Sequence, residues 1–251
     1  MQLQNATSPT KVFIGKDIHK KSYHITIRTD VAEHKSISFA PDSEALYNYI
    51  ESHFPNSEVH ITYEAGCCGF STARHYAHLG WQVTVVNPAD VPTMHKQNFQ
   101  KTDKIDSRNL CKQLQMGNLK PIYIPSEEQE QFRALLRHRM QLAKDLRRCK
   151  TVIKSALLFH GVKIPAVHDN SHWTIAFTNW VSAIEWANPC GAKNIELKLQ
   201  NYEHTKKQYL EVGTALRAYA KKTYPKEYEL LRSIPGIGGF IAAALLAEIG
   251  D

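Results

Sequence analysis

The sequence lacks any apolar run long enough to span a membrane, and its first ten residues contain no apolar segment of the kind found in signal peptides. It also lacks a regular cysteine spacing. The five cysteines are odd in number, and the adjacent Cys67 and Cys68 suit neither a zinc site nor an ordinary disulfide. These absences exclude a disulfide framework and predict a reduced, cytoplasmic protein with no membrane partner. The polar residues 1–10 are predicted to be a disordered lead-in.

Acidic residues are scarce in the middle of the chain. The net charge of the 251 residues is +7, yet residues 95–154 contain fourteen Lys or Arg and only six Asp or Glu, so this basic middle segment carries +8. Such a concentration of positive charge is typical of proteins that bind nucleic acids, although a solvated helix face gives the same pattern. Lys101 and Lys104 could instead neutralise nearby acids. The candidates for contact with phosphate are Lys101, Lys104, Arg108, Arg133, Arg137, Arg147 and Arg148.

Hydrophobic periodicity predicts eight elements in the first half of the chain, in the order β-β-β-α-β-α-β-α. The first two strands, over 11–17 and 22–30, form a hairpin. The later strands are separated by helices, which favours parallel pairing through right-handed crossovers. This order predicts an α/β fold whose ligands lie beyond the carboxyl ends of the strands. The remaining strands are predicted over 34–39, 58–64 and 82–88, and the helices over 41–54, 69–80 and 104–117.

The pattern becomes helical from Ser126 onward. Apolar residues at helical spacing predict one helix of over thirty residues that begins at Ser126 and ends at Gly161, and a second over about 193–222. The tryptophan-rich segment 172–187 lies between them, and its tryptophans are predicted to be core residues. Two helices of this length form either an antiparallel pair packed within one chain or a coiled-coil arm of a dimer.

The last stretch, LLRSIPGIGGFIAAALLAEIGD, is predicted to form two helices joined by a glycine-rich turn, similar to a helix-hairpin-helix. The backbone N–H groups of such a turn can meet a phosphate. The alternative is a tight turn in which glycine ends the first helix. Ser233 is predicted to be a helix N-cap.

Four acids lie at the ends of predicted elements. Asp17 follows the first strand, Glu64 ends a strand in ITYEAG, and Asp103 and Asp106 are three residues apart at the start of a helix. Taken singly, they can be turn acids, surface acids, helix caps or partners of the helix dipole. Taken together, they predict a site for one or two Mg²⁺ ions, because hard divalent cations take oxygen ligands and neutralise charge in phosphoryl transfer. His19 is interpreted as a turn residue.

Five stretches resemble, in order, the sequence blocks of DEDD-type insertion-sequence transposases, which include bridge-RNA-guided recombinases and related site-specific DNA invertases. They are GKDIHKKSYHITI, YEAGCCGF, VVNP, KTDKIDSRNL and LRSIPGIGGFIAAALLAEIGD, and the resemblance runs from about residue 11 to the end. It implies a ribonuclease-H-like, Holliday-junction-resolvase-like catalytic domain over 11–122. It further implies a helical or coiled-coil insert over 123–224 and the start of a C-terminal transposase domain over 225–251.

The same resemblance implies chemistry and partners. The family's four acids fall on Asp17, Glu64, Asp103 and Asp106. Its members use Mg²⁺, assemble as dimers or tetramers, and exchange strands of double-stranded DNA with a structured guide RNA. Two features depart from the pattern. Lys16 stands where an apolar residue is usual, and the family's nucleophilic serine, which lies downstream of the AEIGD block, has no counterpart here, so the chain is expected to be incomplete.

Three functions are therefore open at the level of sequence. The first is a DNA transposase or recombinase of this family. The second is a Mg²⁺-dependent, structure-selective nuclease that uses the same four acids and water. The third is a non-enzymatic protein that binds RNA or DNA through the basic middle segment, in which case its affinity should fall steeply with salt.

Overall fold

The computed structural model describes residues 10–92, 102–168 and 173–249. Lys101, predicted to contact phosphate, lies outside these residues, as does nearly all of the predicted lead-in. The chain divides into two compact units, Met1–Pro125 and Ser126–Asp251. Within the described residues, no helix has both the length and the apolar character needed to cross a bilayer.

The first unit is a five-stranded mixed sheet with helices, which confirms the predicted order of elements and an α/β architecture. The strand order is β3-β2-β1-β4-β5. β1, β2 and β3 pair antiparallel, whereas β4 and β5 extend the sheet from β1 in parallel. The elements are β1 Lys11–Ile18, β2 Tyr23–Thr29, β3 Glu33–Phe39, α1 Ser43–His53, β4 Glu58–Glu64, α2 Ser71–His78, β5 Gln82–Val86 and α3 Asp103–Gln115.

The two faces of this sheet are used differently. On one face, the alternate residues Val12 and Ile14 of β1 join a buried apolar cluster with Leu46 and Ile50 of α1 and Tyr76 of α2. The opposite face carries α3. Because side chains alternate along a strand, consecutive residues of β1 point to different faces, and this alternation separates Lys16 from Asp17.

Gly15 of β1 allows α3 to lie directly on the sheet. A Cβ atom at this position would lie 2.1 Å from the carbonyl oxygen of Ser107 and 2.4 Å from the backbone nitrogen of Cys111, both in α3. No side chain fits into that gap, since both neighbours are backbone atoms. The glycine therefore fixes how closely the helix that carries two of the four acids approaches β1.

The second unit is helical and contains α4 Glu127–Phe159, α5 Ile175–Ser182, α6 Pro189–Thr223, α7 Pro225–Arg232 and α8 Gly239–Ile249. Both predicted long helices are confirmed, with Ser126 as the N-cap of α4 and a left-handed Gly161 just beyond its end. α4 and α6 run antiparallel within the chain, because Phe132 packs near Tyr219 whereas Cys149 lies beside Thr205.

In the second unit, the tryptophans agree with their prediction as core residues, whereas Ser233 does not agree with its prediction as an N-cap. Trp173, Trp180 and Trp186 pack against a buried cluster between α4, α5 and α6, as expected of core residues. The assignment of Ser233 as an N-cap is wrong. It caps the C-terminal end of α7, and its hydroxyl donates to the carbonyl of Leu230 at 2.7 Å, because the helix precedes the serine rather than follows it.

Candidate metal centre

Three side chains with ligand atoms meet where β1 ends. Oδ2 of Asp17 lies 3.2 Å from Nε2 of His19, and the same nitrogen lies 3.3 Å from Oδ1 of Asp103. One ligand atom from each residue lies within 4.8 Å of the other two. β1 positions Asp17, and the turn after β1 positions His19 through a hydrogen bond from its backbone N–H to the carbonyl of Ser22. The first residue of α3 contributes Asp103.

The electrostatics of this cluster couple the pKa values of its carboxylates and its imidazole. Burial raises the pKa of Asp17. The neighbouring His19 lowers this pKa, whereas the carboxylates of Asp103 and Asp106 raise it. The pKa of His19 is raised, chiefly by Asp17 and also by Asp103. The carboxylates thus favour the charged form of the imidazole, and a divalent cation would supply positive charge at the same place.

The start of α3 does not use its acids as caps. The side chain of Thr102 accepts the hydrogen bond from the N–H of Ile105, so Asp103 and Asp106 remain available for other contacts. Within the residues that the structure describes, no Lys or Arg forms an ion pair with Asp17, Asp103 or Asp106. Because Thr102 is the N-cap of α3, neither acid serves as an ordinary helix cap.

Glu64 and Asp106 lie at the same edge but outside the set of three. Glu64 is the last residue of β4, which runs parallel to β1. Lys16 pairs with Tyr63, so the following residues, Asp17 and Glu64, lie beside each other near the ends of neighbouring strands and point to the same face. Asp106 follows Asp103 by three residues on α3 and raises the pKa of Asp17. All four acids predicted from the sequence therefore lie at one edge of one unit, and their role as metal ligands remains a prediction.

Polar contacts hold α3 on the sheet beneath this edge. The Ser107 hydroxyl lies 2.9 Å from that of Thr26, and both residues are buried. The Cys111 thiol contacts the carbonyl of Phe13 at 3.1 Å, and its burial raises its pKa to about 12, so it stays a thiol. With Gly15, these contacts fix the position from which α3 presents its acids.

Lys16 points away from the acids and is fully buried on the other face of the sheet. Its Nζ donates to the hydroxyl of Tyr76 at 3.1 Å and lies 3.7 Å from the centre of the Tyr23 ring. Burial lowers the pKa of this amine to about 7. The residue that departs from the family pattern is thus a core residue that does not touch the candidate site.

A pH-dependent stability follows from Lys16. The unfolded chain keeps the amine protonated up to its ordinary pKa of 10.5, whereas the folded chain releases the proton near pH 7. Between these values the unfolded state binds more protons, so this group makes the folded protein more stable as pH rises. We expect Lys16→Met to stabilise the protein most at low pH, and its advantage over the original chain to shrink by roughly 2 kcal/mol between pH 6.5 and pH 9. Urea unfolding of both proteins measures this difference, and a difference independent of pH would contradict it.

The predicted phosphate-contacting residues differ in their partners. Arg108 donates from Nε and Nη2 to one oxygen of Glu33, at 3.0 and 2.8 Å. Arg133 donates to the carbonyls of Ala247 and Glu248 in α8, and Arg137 donates to the carboxylate of Glu248. These three have partners within their own unit. Lys104, Arg147 and Arg148 are exposed and form no ion pair within the described residues, although Arg147 donates from Nε to the carbonyl of Ala143 at 3.3 Å. Arg108 and Arg137 are exposed as well.

His19 is the residue of this site that sequence reasoning missed. Its signal was its position, two residues after Asp17, but a histidine in a turn has many possible orientations. The donor set that results, two carboxylates and one imidazole, fits a divalent cation. Carboxylate oxygens suit Mg²⁺ and Mn²⁺, and an imidazole nitrogen is accepted by Mn²⁺ and Zn²⁺.

Comparison of the sequence with known proteins identifies a family. The family model of the IS110-type DEDD transposases, described as "Transposase", matches residues 14–161. The transposase for insertion sequence element IS1533 of Leptospira borgpetersenii is 23% identical over 252 residues, covering 96% of this chain and 70% of that protein. The transposase for insertion sequence element IS1328 of Yersinia enterocolitica is 24% identical, covering 97% of this chain and 69% of that protein.

A third relative matches over a smaller share of its own length. It is a protein of Sinorhizobium fredii named as a transposase, y4qE, and it is 25% identical over 193 residues, which are 77% of this chain and 45% of that protein. The chain thus spans from about half to about two thirds of the lengths of these relatives. Because the family match covers more than half of the chain and includes all four acids as well as His19, the chain belongs to the DEDD insertion-sequence transposase family.

Proposed function

We propose that this chain carries the acid site of an insertion-sequence transposase that cuts and exchanges strands of double-stranded DNA. The observation that carries the proposal is the meeting of Asp17 with Asp103, two acids far apart in sequence, around one imidazole. Family membership supports the reaction class, because two relatives are named as transposases for insertion sequence elements.

The proposed ligands of one or two Mg²⁺ ions are Asp17, Glu64, Asp103 and Asp106. When bound, the metal would neutralise charge on a phosphodiester and polarise its oxygens. The residues of the chain supply the ligand atoms. Asp17 and Asp103 present carboxylate oxygens, and His19 lies between them within hydrogen-bonding distance of both.

The proposed partners are DNA, a structured guide RNA and further copies of the chain. The charge of +8 over residues 95–154 supports binding of a polyanion. The family resemblance of the sequence blocks supports the guide RNA and a dimer or tetramer assembled through α4 and α6. Among the predicted phosphate-contacting residues, Lys104, Arg147 and Arg148 are the best placed for contact with nucleic acid, because they are exposed and form no ion pair within the described residues.

The experiment that tests this function uses the full-length gene product and a plasmid that carries the insertion sequence with both of its ends. Sequencing of the junctions in cells should reveal insertion and excision products only when the protein is present. Absence of movement despite verified expression would contradict the proposal. Cutting of branched DNA without any movement would indicate the structure-selective nuclease instead, and binding without cutting would indicate the non-enzymatic function.

A further inference from the structure

A basic depression of about 430 Å³ lies where α6, α7 and the start of α8 come together in the second unit. Its lining includes Arg217 and Lys221 from α6, Arg232 from the end of α7, and Gly239 at the start of α8. None of its lining residues is acidic. The four positions are separated in sequence, and the fold of α6, α7 and α8 brings them together.

The three cations of this depression are only weakly engaged elsewhere. Arg217 donates from Nη2 to the hydroxyl of Thr214 at 3.1 Å, which holds the guanidinium in place without neutralising it. Arg232 forms one exposed ion pair, at 3.6 Å, with Glu229. Lys221 forms no ion pair with any residue in the described part of the chain. The depression therefore carries net positive charge, and an exposed ion pair such as that of Arg232 is readily exchanged for another anion.

The hydroxyl of a tyrosine with a buried ring points to the same place. Tyr228 of α7 is only 4% exposed. A Cβ atom at Gly239 would lie 2.5 Å from its Oη and 3.3 Å from Cδ of Arg217, so the hydroxyl is directed at the start of α8 beside the arginine. Among the described residues, this hydroxyl has no hydrogen-bond partner. Tyr228 lines the depression, so an anion there would accept the hydrogen bond of its hydroxyl.

The start of α8 adds donors of the same kind. The first N–H groups of a helix have no partner within the helix, and they attract negative charge. Glycine at position 239 lets the Tyr228 hydroxyl and the Arg217 side chain approach the start of α8 closely, which brings their donors near these N–H groups. Three cations, one tyrosine hydroxyl and a helix start around a single depression match the donors that bind a tetrahedral phosphate.

We propose that the depression formed by Arg217, Lys221, Tyr228, Arg232 and Gly239 binds one backbone phosphate of a nucleic acid. The inference deepens the proposed function, because it names a contact with DNA or RNA outside the acid site and outside the basic middle segment. The shared ligand chemistry is a phosphodiester, and DNA and RNA are its two possible sources.

The test is binding of the purified chain to two fluorescein-labelled probes, a 20-base-pair DNA duplex and a 20-nucleotide single-stranded RNA, over a range of salt concentrations. The triple variant Arg217→Gln, Lys221→Gln, Arg232→Gln should bind at least one probe about fivefold or more weakly. The slope of log affinity against log salt should become shallower by about 0.9 for duplex DNA or 0.7 for single-stranded RNA, the value for one lost phosphate. The probe that shows both changes identifies the source of the phosphate.

A matched control removes the same number of charges elsewhere on α6. In the variant Lys193→Gln, Lys206→Gln, Lys207→Gln, both affinities should change less than in the depression variant. Equal losses in the two triple variants would overturn the proposal, since they would indicate nonspecific loss of charge. A chain that binds neither probe would also overturn it, while leaving the acid site and its metal to be judged independently.

The hydroxyl gives a second, milder variant. Tyr228→Phe keeps the buried ring, so the thermal unfolding midpoint should change little, while affinity for the responding probe should fall about threefold. Sodium phosphate should compete with that probe more strongly than sodium chloride of equal ionic strength, and only when Tyr228 and the three cations are intact. An unchanged affinity in Tyr228→Phe, together with equal competition by the two salts, would overturn the proposed site.

Discussion

Transposition by the full-length gene product is expected to fall by roughly a hundredfold or more when Asp17 is replaced by asparagine. A metal at a phosphodiester supplies several kcal/mol of charge stabilisation, and each 1.36 kcal/mol lost from the barrier is about tenfold in rate. Asparagine keeps the size and the strand position of Asp17 but removes its charge. Insertion junctions counted by sequencing, at matched protein levels, measure the effect.

The other acids define the extent of the site. Asp103→Asn should cause a loss similar to that of Asp17→Asn, because its carboxylate shares the same imidazole. The control is Asp30→Asn, which removes one charge from the exposed turn between β2 and β3 and should leave transposition unchanged. Normal transposition by Asp17→Asn would exclude this residue from the reaction. The same measurement on Glu64→Gln and Asp106→Asn shows whether the two acids outside the close cluster are needed for transposition.

The second large effect is expected from Gly15→Val. The new side chain would enter a gap in which a Cβ lies only 2.1 Å from a backbone oxygen of α3, so either the helix moves away or β1 bends. Backbone atoms cannot rotate aside as a side chain can, and we expect a loss of roughly 3 kcal/mol in the free energy of unfolding. Urea unfolding measures this loss.

Gly66→Ala is the matched control for Gly15→Val, because a Cβ at Gly66 would meet only the carbonyl oxygen of Glu64 at an ordinary 3.9 Å. Its stability should remain close to that of the original chain. If Gly15→Val remains as stable as Gly66→Ala, then α3 does not lie against β1 as the structure has it. Asp103 and Asp106 would then not share an edge with Asp17 and Glu64, so this result would also weaken the candidate metal centre.

The strands and helices could be predicted because their signals are local. Alternation along 11–17 and 22–30, capping residues such as Ser126, and glycines just beyond helix ends specify elements without knowledge of the packing. The clustering of the acids was also accessible, since the carboxyl ends of parallel strands meet at one edge. The sequence further supplied the i, i+3 relation of Asp103 and Asp106.

The rest depends on packing that no local pattern reveals. The bridging role of His19 requires the turn that ends at Ser22, and the burial of Lys16 requires both Tyr23 and Tyr76 to close over it. The depression around Tyr228 combines three helices. Ser233 was misassigned because a serine between two predicted helices is compatible with the end of one or the start of the next, and only the hydrogen bond to Leu230 decides between them.

The most direct measurement of the central claim is anomalous X-ray scattering from crystals of this chain grown with Mn²⁺, which can replace Mg²⁺ at oxygen ligands and has a usable absorption edge. We predict an anomalous peak in contact with the carboxylates of Asp17 and Asp103, and no such peak in crystals of Asp17→Asn. A well-ordered site without a peak at millimolar Mn²⁺, or a peak confined to unrelated surface acids, would contradict the claim that these acids form a metal centre.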